Sequence, residues 1–187
     1  MLEAVNLSKA FDGKQVIRNF SASFENGEHY CLMGPSGCGK TTLLNLLMGL
    51  IRPDAGTVRM PAGTKLSAVF QEDRLLEQMT AAANVALVSP APREQIEALL
   101  LELGIEAESL SMPVRAYSGG MKRRVALCRA LLAEFDVLFL DEPYKGLDEE
   151  TRAKVIAIVR RFTQGKTVLL VTHDREETEG YMPVSLE

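Results

Sequence analysis

The sequence predicts an α/β fold, a mainly parallel sheet with an inserted helical subdomain, and three observations carry that expectation. The runs Val137 to Leu140 and Val168 to Val171 are continuously apolar, as strands covered on both faces of a parallel sheet are. A helical segment, Glu149 to Phe162, stands between them, and strand, helix, strand in that order is the pattern of a parallel crossover. The stretch from Met79 to Leu110 carries Ile96, Leu99, Leu100 and Leu103 at helical spacing with almost no strand signal, which reads as helices inserted into the α/β core.

The elements follow in order. Short β-like runs come first, Glu3 to Leu7, Gln15 to Ile17, Ser21 to Phe24 and Glu28 to Met33, punctuated by Asp12-Gly13 and Asn26-Gly27, both strong turn signals. A buried helix follows Gly39 and stops near Gly49; two more strands are expected at Gly56 to Met60 and Lys65 to Phe70. The helical insertion breaks at Ser89-Pro90-Ala91-Pro92. From Ser118 a helix runs to about Ala133 with Met121, Val125, Cys128 and Leu132 on one apolar face, which leaves Lys122, Arg123 and Arg129 mostly to solvent. The organisation expected is one domain over 1–187, with 1–70 and 117–187 as its core and 71–116 as the helical subdomain.

Bulk composition narrows the function classes. A chain of 187 residues with 47% apolar and 25% charged residues is long enough to bury a core without disulfides or a structural metal. The formal charge of -4 gives no reason to expect a nucleic-acid partner. Three cysteines, Cys31, Cys38 and Cys128, show no C-x-x-C spacing, so a reduced compartment is the simpler expectation. The N-terminus lacks a basic region followed by an apolar run, and the longest apolar stretch, Leu43 to Ile51, falls short of the roughly 20 residues of a membrane helix. Work at a membrane would require another subunit.

The sharpest motif is Gly34-Pro35-Ser36-Gly37-Cys38-Gly39-Lys40-Thr41, followed by Thr42. It fits G-x-x-x-x-G-K-[ST] between an expected strand and an expected helix, the setting of a loop that turns backbone N–H groups toward phosphates. The glycines let the backbone wrap the anion, Lys40 would neutralise β- and γ-phosphates, and the Thr41 hydroxyl would ligate Mg²⁺. Cys38 is either a spacer or a thiol whose anion the helix start and Lys40 favour.

A second constellation closes the strand Val137 to Leu140 with Asp141-Glu142-Pro143. Ligands of open α/β sheets bind at such carboxyl ends, and two adjacent carboxylates have two tasks available. Asp141 suits holding Mg²⁺ and Glu142 suits accepting a proton from an attacking water. His173 lies just past the strand ending at Val171, where it can donate to a γ-phosphate; His29 is assigned no role. One oddity remains in Ala116 to Arg124, where Gly119 and Gly120 open a helix although each costs a helix about 1 kcal/mol relative to alanine.

These stretches, together with Gln71 in Val69-Phe70-Gln71-Glu72 and with Gly146-Leu147-Asp148, resemble in order and spacing the ATPases of the ABC type, over nearly the whole chain. The fold implied is a P-loop NTPase core, and the activity implied is ATP hydrolysis with ATP and Mg²⁺, as the nucleotide-binding subunit of a transporter. The resemblance also answers the oddity: in that family Ser118, Gly119 and Gly120 would contact the γ-phosphate held by the opposite subunit of a head-to-tail homodimer closed by ATP. It implies that Phe11 stacks on adenine, that Gln71 meets Mg²⁺ and the hydrolytic water, that Asp148 lies in the loop crossing the dimer interface, and that His173 is the switch histidine. The segment Gln71 to Leu87 would receive a helix of a transmembrane permease, which in turn meets a solute-binding protein. This would place the chain in the cytoplasm, peripheral on the inner face of the cell membrane.

Departures from the family pattern are Tyr117 in place of leucine and Gly146 in place of alanine. The stretch from Lys40 to Gln71 is shorter than usual in the family, so the small antiparallel β subdomain is expected to be trimmed, and from the short tail after His173 no regulatory C-terminal domain is expected. Within the family the signature and the Asp141 to Arg152 segment look most like ATPase subunits of importers for nitrate, sulfonates or taurine. An exporter's ATPase and a soluble, non-transport ABC ATPase are the alternatives.

Overall fold

A computed structural model describes residues 1–186. By contacts the chain divides into two units, Met1–Leu66 with Asp136–Asp141 and Gly165–Glu187, and Ser67–Phe135 with Glu142–Gln164. The segment 71–116 expected as the helical subdomain lies within the second unit, which also includes the long helices before and after the acidic strand end.

The first unit holds two sheets. Strands β1 (Leu2–Phe11), β2 (Lys14–Phe24) and β4 (Ala55–Arg59) form an antiparallel sheet in the order β2-β1-β4. The four expected runs before Gly34 are therefore three strands: the pieces Gln15 to Ile17 and Ser21 to Phe24 are one strand, bulged where Asn19 takes φ 45°. Sequence periodicity breaks at such a bulge although the pairing continues through it. Leu2, Ala4, Leu7, Ile17 and Phe24 are the buried side of this sheet. Strands β3 (His29–Met33), β6 (Val137–Asp141), β7 (Thr167–Val171) and β8 (Met182–Ser185) pair in parallel in the order β6-β7-β3-β8. All five residues of β6 and all five of β7 are buried, as their unbroken apolar runs require. Strand β8 was not expected, because Met-Pro-Val-Ser is too short and polar to register as a strand without β3 beside it. Helix α1 (Lys40–Leu47) follows β3 and buries Leu43, Leu44, Leu46 and Leu47.

In the second unit, β5 (Leu66–Val69) leads the chain in; α2 (Ala81–Ala86), α3 (Arg93–Glu102), α4 (Gly119–Leu132) and α5 (Glu149–Phe162) follow. Their starts are written in the sequence: Thr80, Ser118 and Asp148 each accept a hydrogen bond from the backbone N–H three residues on, the local geometry of an N-cap. The core joins Val85, Ile96, Leu99, Leu100, Val114, Val125, Leu127 and Val159. The expectation that Arg123 faces solvent is corrected here. Arg123 is only 6% exposed, and its donors meet backbone carbonyls of the Phe70 to Gln71 stretch. Unpaired carbonyls brought to the helix made burial of that charge tolerable.

No described helix is long and apolar enough to cross a membrane. Gly56 in β4 takes φ 84°, and a Cβ there would lie 2.3 Å from the Asn6 carbonyl oxygen and 2.4 Å from that of Val5. Backbone cannot yield as a flexible side chain can. Gly56→Ala is expected to destabilise the first unit by about 3 kcal/mol, read from urea unfolding followed by circular dichroism; a midpoint equal to wild type would show that the bulge at Asn6 adapts.

Candidate functional site

The loop between β3 and α1 is shaped by left-handed glycines. Gly39, the residue before α1, sits at φ 102°, and a Cβ on it would come within 2.8 Å of Val16 Cγ1 and 2.9 Å of Ile17 Cδ1. Only glycine supplies both the backbone angle and the clearance. Because Gly39 has no side-chain oxygen, the first N–H groups of α1 have no side-chain cap. They form a concave set of donors backed by the positive end of the helix dipole. Lys40 is 6% exposed, and its Nζ donates to the carbonyls of Gly34 at 2.8 Å and Pro35 at 3.0 Å, with Cys38 Sγ at 3.9 Å. The ammonium is thus held at the loop, beside the donors that would share an anion with it.

Thr41 Oγ1 donates to Asp141 Oδ2 at 2.7 Å. Asp141 ends β6 and is buried, so this contact brings two hard oxygen donors from distant sequence positions to one point. Such donors fit Mg²⁺, which keeps several waters and uses one or two protein oxygens plus substrate phosphates. No group of three or more His, Cys, Asp or Glu that could hold a metal ion is gathered among the described residues.

Beyond β7, Thr172 Oγ1 donates to the buried carboxylate of Glu177 and accepts from the Asp174 N–H at 3.1 Å. These two bonds pin the turn on which exposed His173 stands. Glu177 was not singled out in the sequence, where it is one of several glutamates in a polar run. Phe11 ends β1 with its ring 45% exposed and Lys9 Nζ 5.4 Å from its centroid. Asp54 holds that strand end, accepting from Lys9 Nζ at 2.7 Å and from the Ala10 N–H at 2.8 Å. Lys9 and the backbone contact hold the Asp54 carboxyl below the usual carboxylate range. A cavity of about 370 Å³ lined by Met60, Pro61, Leu66, Val137 and Lys166 contains none of the predicted site residues.

In the second unit, Glu142 takes φ 48°, a left-handed conformation uncommon outside glycine. Its Oε2 lies 3.4 Å from Lys145 Nζ. Ser118 caps α4 by accepting from the Met121 N–H at 3.2 Å, which leaves its own O–H as a donor. Neither glycine after it is demanded by internal packing: a Cβ at Gly119 would meet nothing within 4 Å, and one at Gly120 would meet the Gly146 carbonyl no closer than 3.4 Å. Two bare N–H groups at an open helix start suit close approach by an anion. Asp148 caps α5 through the Thr151 N–H at 2.9 Å, which holds its carboxyl below the usual range. Gln71 is exposed. The segment after it presents Leu76 and Leu87, 53% and 58% exposed, and a depression of about 180 Å³ is lined by Ala82, Ala83, Ala86, Ala91 and Ile96. Buried Asn84 ties its bend by accepting from the Leu76 N–H and donating to the Leu76 and Thr80 carbonyls.

Comparison with known proteins bears on this arrangement. Residues 17–145 match the sequence model of the family described as ABC transporter. The chain is 40% identical over 182 residues to the aliphatic sulfonates import ATP-binding protein SsuB 1 of Rhodococcus jostii, covering 94% of this chain and 74% of that protein. With the protein of the same name from Streptomyces avermitilis it shares 42% over 175 residues, 91% of this chain and 66% of the relative. The chain thus spans about two thirds to three quarters of those relatives' lengths. Among solved structures, a dimeric post-hydrolysis state of the ATP-binding cassette MJ0796 bound to ADP and Pi superposes with a TM-score of 0.89 at 25% identity, over all of this chain and 94% of that one.

Of the three thiols, Cys31 and Cys128 are buried, with burial raising Cys31 and pushing Cys128 up to about 12. Both are poor nucleophiles near neutral pH, because a raised thiol pKa lowers the thiolate fraction. Cys38, half-buried in the loop, is the expected site of alkylation. With ATP at about 100 times its Kd, labelling of Cys38 should fall about 100-fold. Equal labelling with and without nucleotide, read by peptide mass spectrometry, would remove the loop as the phosphate site.

Proposed function

The chain belongs to the ABC transporter family as an ATP-binding, ATP-hydrolysing subunit that works with Mg²⁺, and from that premise we propose that it energises import of an aliphatic sulfonate or a related small solute such as nitrate. The observation that carries the cargo reading is the 40% identity, along 94% of the chain, with a sulfonate-import ATP-binding protein. Nothing in the nucleotide site touches cargo, so the relationship, and not the site, supports this part.

In this reading the N–H groups at the start of α1 bind the phosphates, and Lys40 leaves the Gly34 and Pro35 carbonyls to neutralise β- and γ-phosphate oxygens. Gly34 to Thr42 line that cradle, and the exposed Phe11 ring stacks on adenine, a contact requiring only a π-face. Bound Mg²⁺ supplies positive charge to the β- and γ-phosphate oxygens; Thr41 and Asp141 would hold it, with Gln71. Glu142, on a left-handed backbone just past β6, accepts the proton of the attacking water. His173, on the turn pinned by Thr172 and Glu177, donates to the γ-phosphate. Two copies close head to tail, so that the Ser118 hydroxyl and the Gly119 and Gly120 N–H groups of one meet the γ-phosphate of the other, with Asp148 in the crossing loop. The dimeric state of MJ0796 supports this assembly.

The permease is proposed to seat a helix on the Gln71 to Leu87 segment, whose exposed leucines and alanine-lined depression suit an apolar partner side chain. That contact places the chain on the inner face of the membrane and brings a solute-binding protein into the complex indirectly.

Three outcomes test the reading. Glu142→Gln should lower ATP turnover by at least about 100-fold while ATP now holds the protein as a dimer in gel filtration; near-normal turnover would show that Glu142 is not the base. A Leu76→Asp, Leu87→Asp variant should lose a polytopic membrane protein that the wild type retains after mild detergent extraction of host membranes, and equal retention would move the docking surface elsewhere. Deletion of the gene should abolish growth on an aliphatic sulfonate as sole sulfur source and spare growth on sulfate; unimpaired growth on the sulfonate would overturn the cargo assignment.

A further inference from the structure

The chain leaves β5 at Val69 and enters an irregular stretch, Phe70 to Arg74, whose carbonyls have no strand ladder to join. Left to solvent, such a segment opens easily. Two arginines of α4 take the ladder's place. Arg123 spreads its guanidinium over three oxygens: Nη1 donates to the Phe70 carbonyl at 2.6 Å, Nη2 to the Gln71 carbonyl at 2.5 Å, and Nε lies 3.2 Å from Asp73 Oδ1. Arg129 donates through Nη1 to the Arg74 carbonyl at 2.7 Å and through Nη2 to the Asp73 carbonyl at 2.9 Å. Four of five consecutive carbonyls are thus held by two charged forks. Charged donors make stronger bonds than neutral ones, and only arginine offers several in one plane.

The loop is further closed on itself. Arg74 takes φ 49°, and its guanidinium carbon lies 3.8 Å from the centroid of the Phe70 ring. Lys122 extends the grip one step along, to Glu77 at 3.0 Å. The same helix begins at Ser118, five residues before Arg123. Between the cap and the forks runs unbroken helix, with no proline or bulge to absorb a displacement.

We propose that Arg123 and Arg129 are positioning residues that fasten the Phe70 to Arg74 loop to α4, so that Gln71 and the turn at Ser118 move as one mechanical piece. A partner pressing on the Gln71 to Leu87 segment would then reposition Ser118 without slack, and Gln71 would be presented at a fixed height for the chemical step. The proposal rests on the reading above in which Gln71 serves hydrolysis and its segment receives the permease.

Hydrogen exchange of the full-length protein tests the fastening directly, and steady-state ATPase kinetics test its consequence. Arg123→Met keeps the apolar stem and removes the fork; Arg123→Lys keeps a charge facing Asp73 but cannot span both carbonyls, and it carries the test if the methionine variant fails to fold. Amides of residues 71–77 should exchange at least about tenfold faster in either variant, while the α4 amides keep wild-type protection. The kcat for ATP should fall about tenfold with KM within about twofold, since the phosphate loop is untouched. Lysine should restore the melting temperature without restoring loop protection, a split that a merely space-filling arginine would not produce. Unchanged exchange over 71–77 in both variants overturns the fastening. Faster exchange with unchanged kcat overturns the positioning role, and a Gln71→Ala control separates the causes: if that variant also retains wild-type kcat, the reading of Gln71 has failed rather than the fork.

Discussion

Parallel register among β3, β6 and β7 is the constraint on which the candidate site depends. Leu32 lies opposite Val171, and Asp141 opposite the same Val171, so the three strands end level and release their chains at one edge. That edge receives the Gly34 loop, the Asp141 carboxylate and the turn carrying His173. Strands β6 and β7 are buried along their whole length and β3 buries Tyr30, Cys31 and Leu32; a slip of one residue would reverse which side chains face each layer. The 2.7 Å contact from Thr41 to Asp141 exists because this register is fixed by burial on both faces.

Against that rigid frame, helix starts divide into two kinds. Thr80 caps α2 and Asp148 caps α5 with their own side chains, whereas α3 begins at Pro92 without a side-chain cap. The start of α1 carries glycine instead, with no side-chain acceptor for its donors, which gives up the stability of a cap and, in the proposed reading, leaves those donors to an anion. Ser118 is intermediate, accepting from Met121 to close α4 and retaining a hydroxyl proton for an external oxygen. Nothing inside the chain crowds Gly119 and Gly120; in the proposed dimer it is the approaching phosphate that calls for them.

Buried charge follows one rule throughout the second unit: cations sit where carbonyls have lost their secondary-structure partners. Arg124 donates to the carbonyls of Leu103 and Gly104 just past α3, as Arg123 and Arg129 do past β5. An arginine buried without such acceptors would be costly. With them it replaces a missing ladder and ties an irregular stretch to a helix.

The sequence by itself determined whatever is local. Glycine spacing in the Gly34 to Thr41 loop, the unbroken apolar runs of β6 and β7 and the span of α5 are all legible because a φ angle, a two-faced burial or a helical period involves neighbours in the chain. Tertiary structure alone decided the rest. Arg123 reads as a surface cation until Phe70 and Gln71, more than fifty residues earlier, bring their carbonyls to it. Asp54 gains its role from Lys9 and Ala10, and β8 becomes a strand only beside β3. Periodicity reports which face of an element is apolar; it cannot report that an unpaired polar backbone will arrive from elsewhere, and that arrival is what turns a charged side chain from solvated to structural.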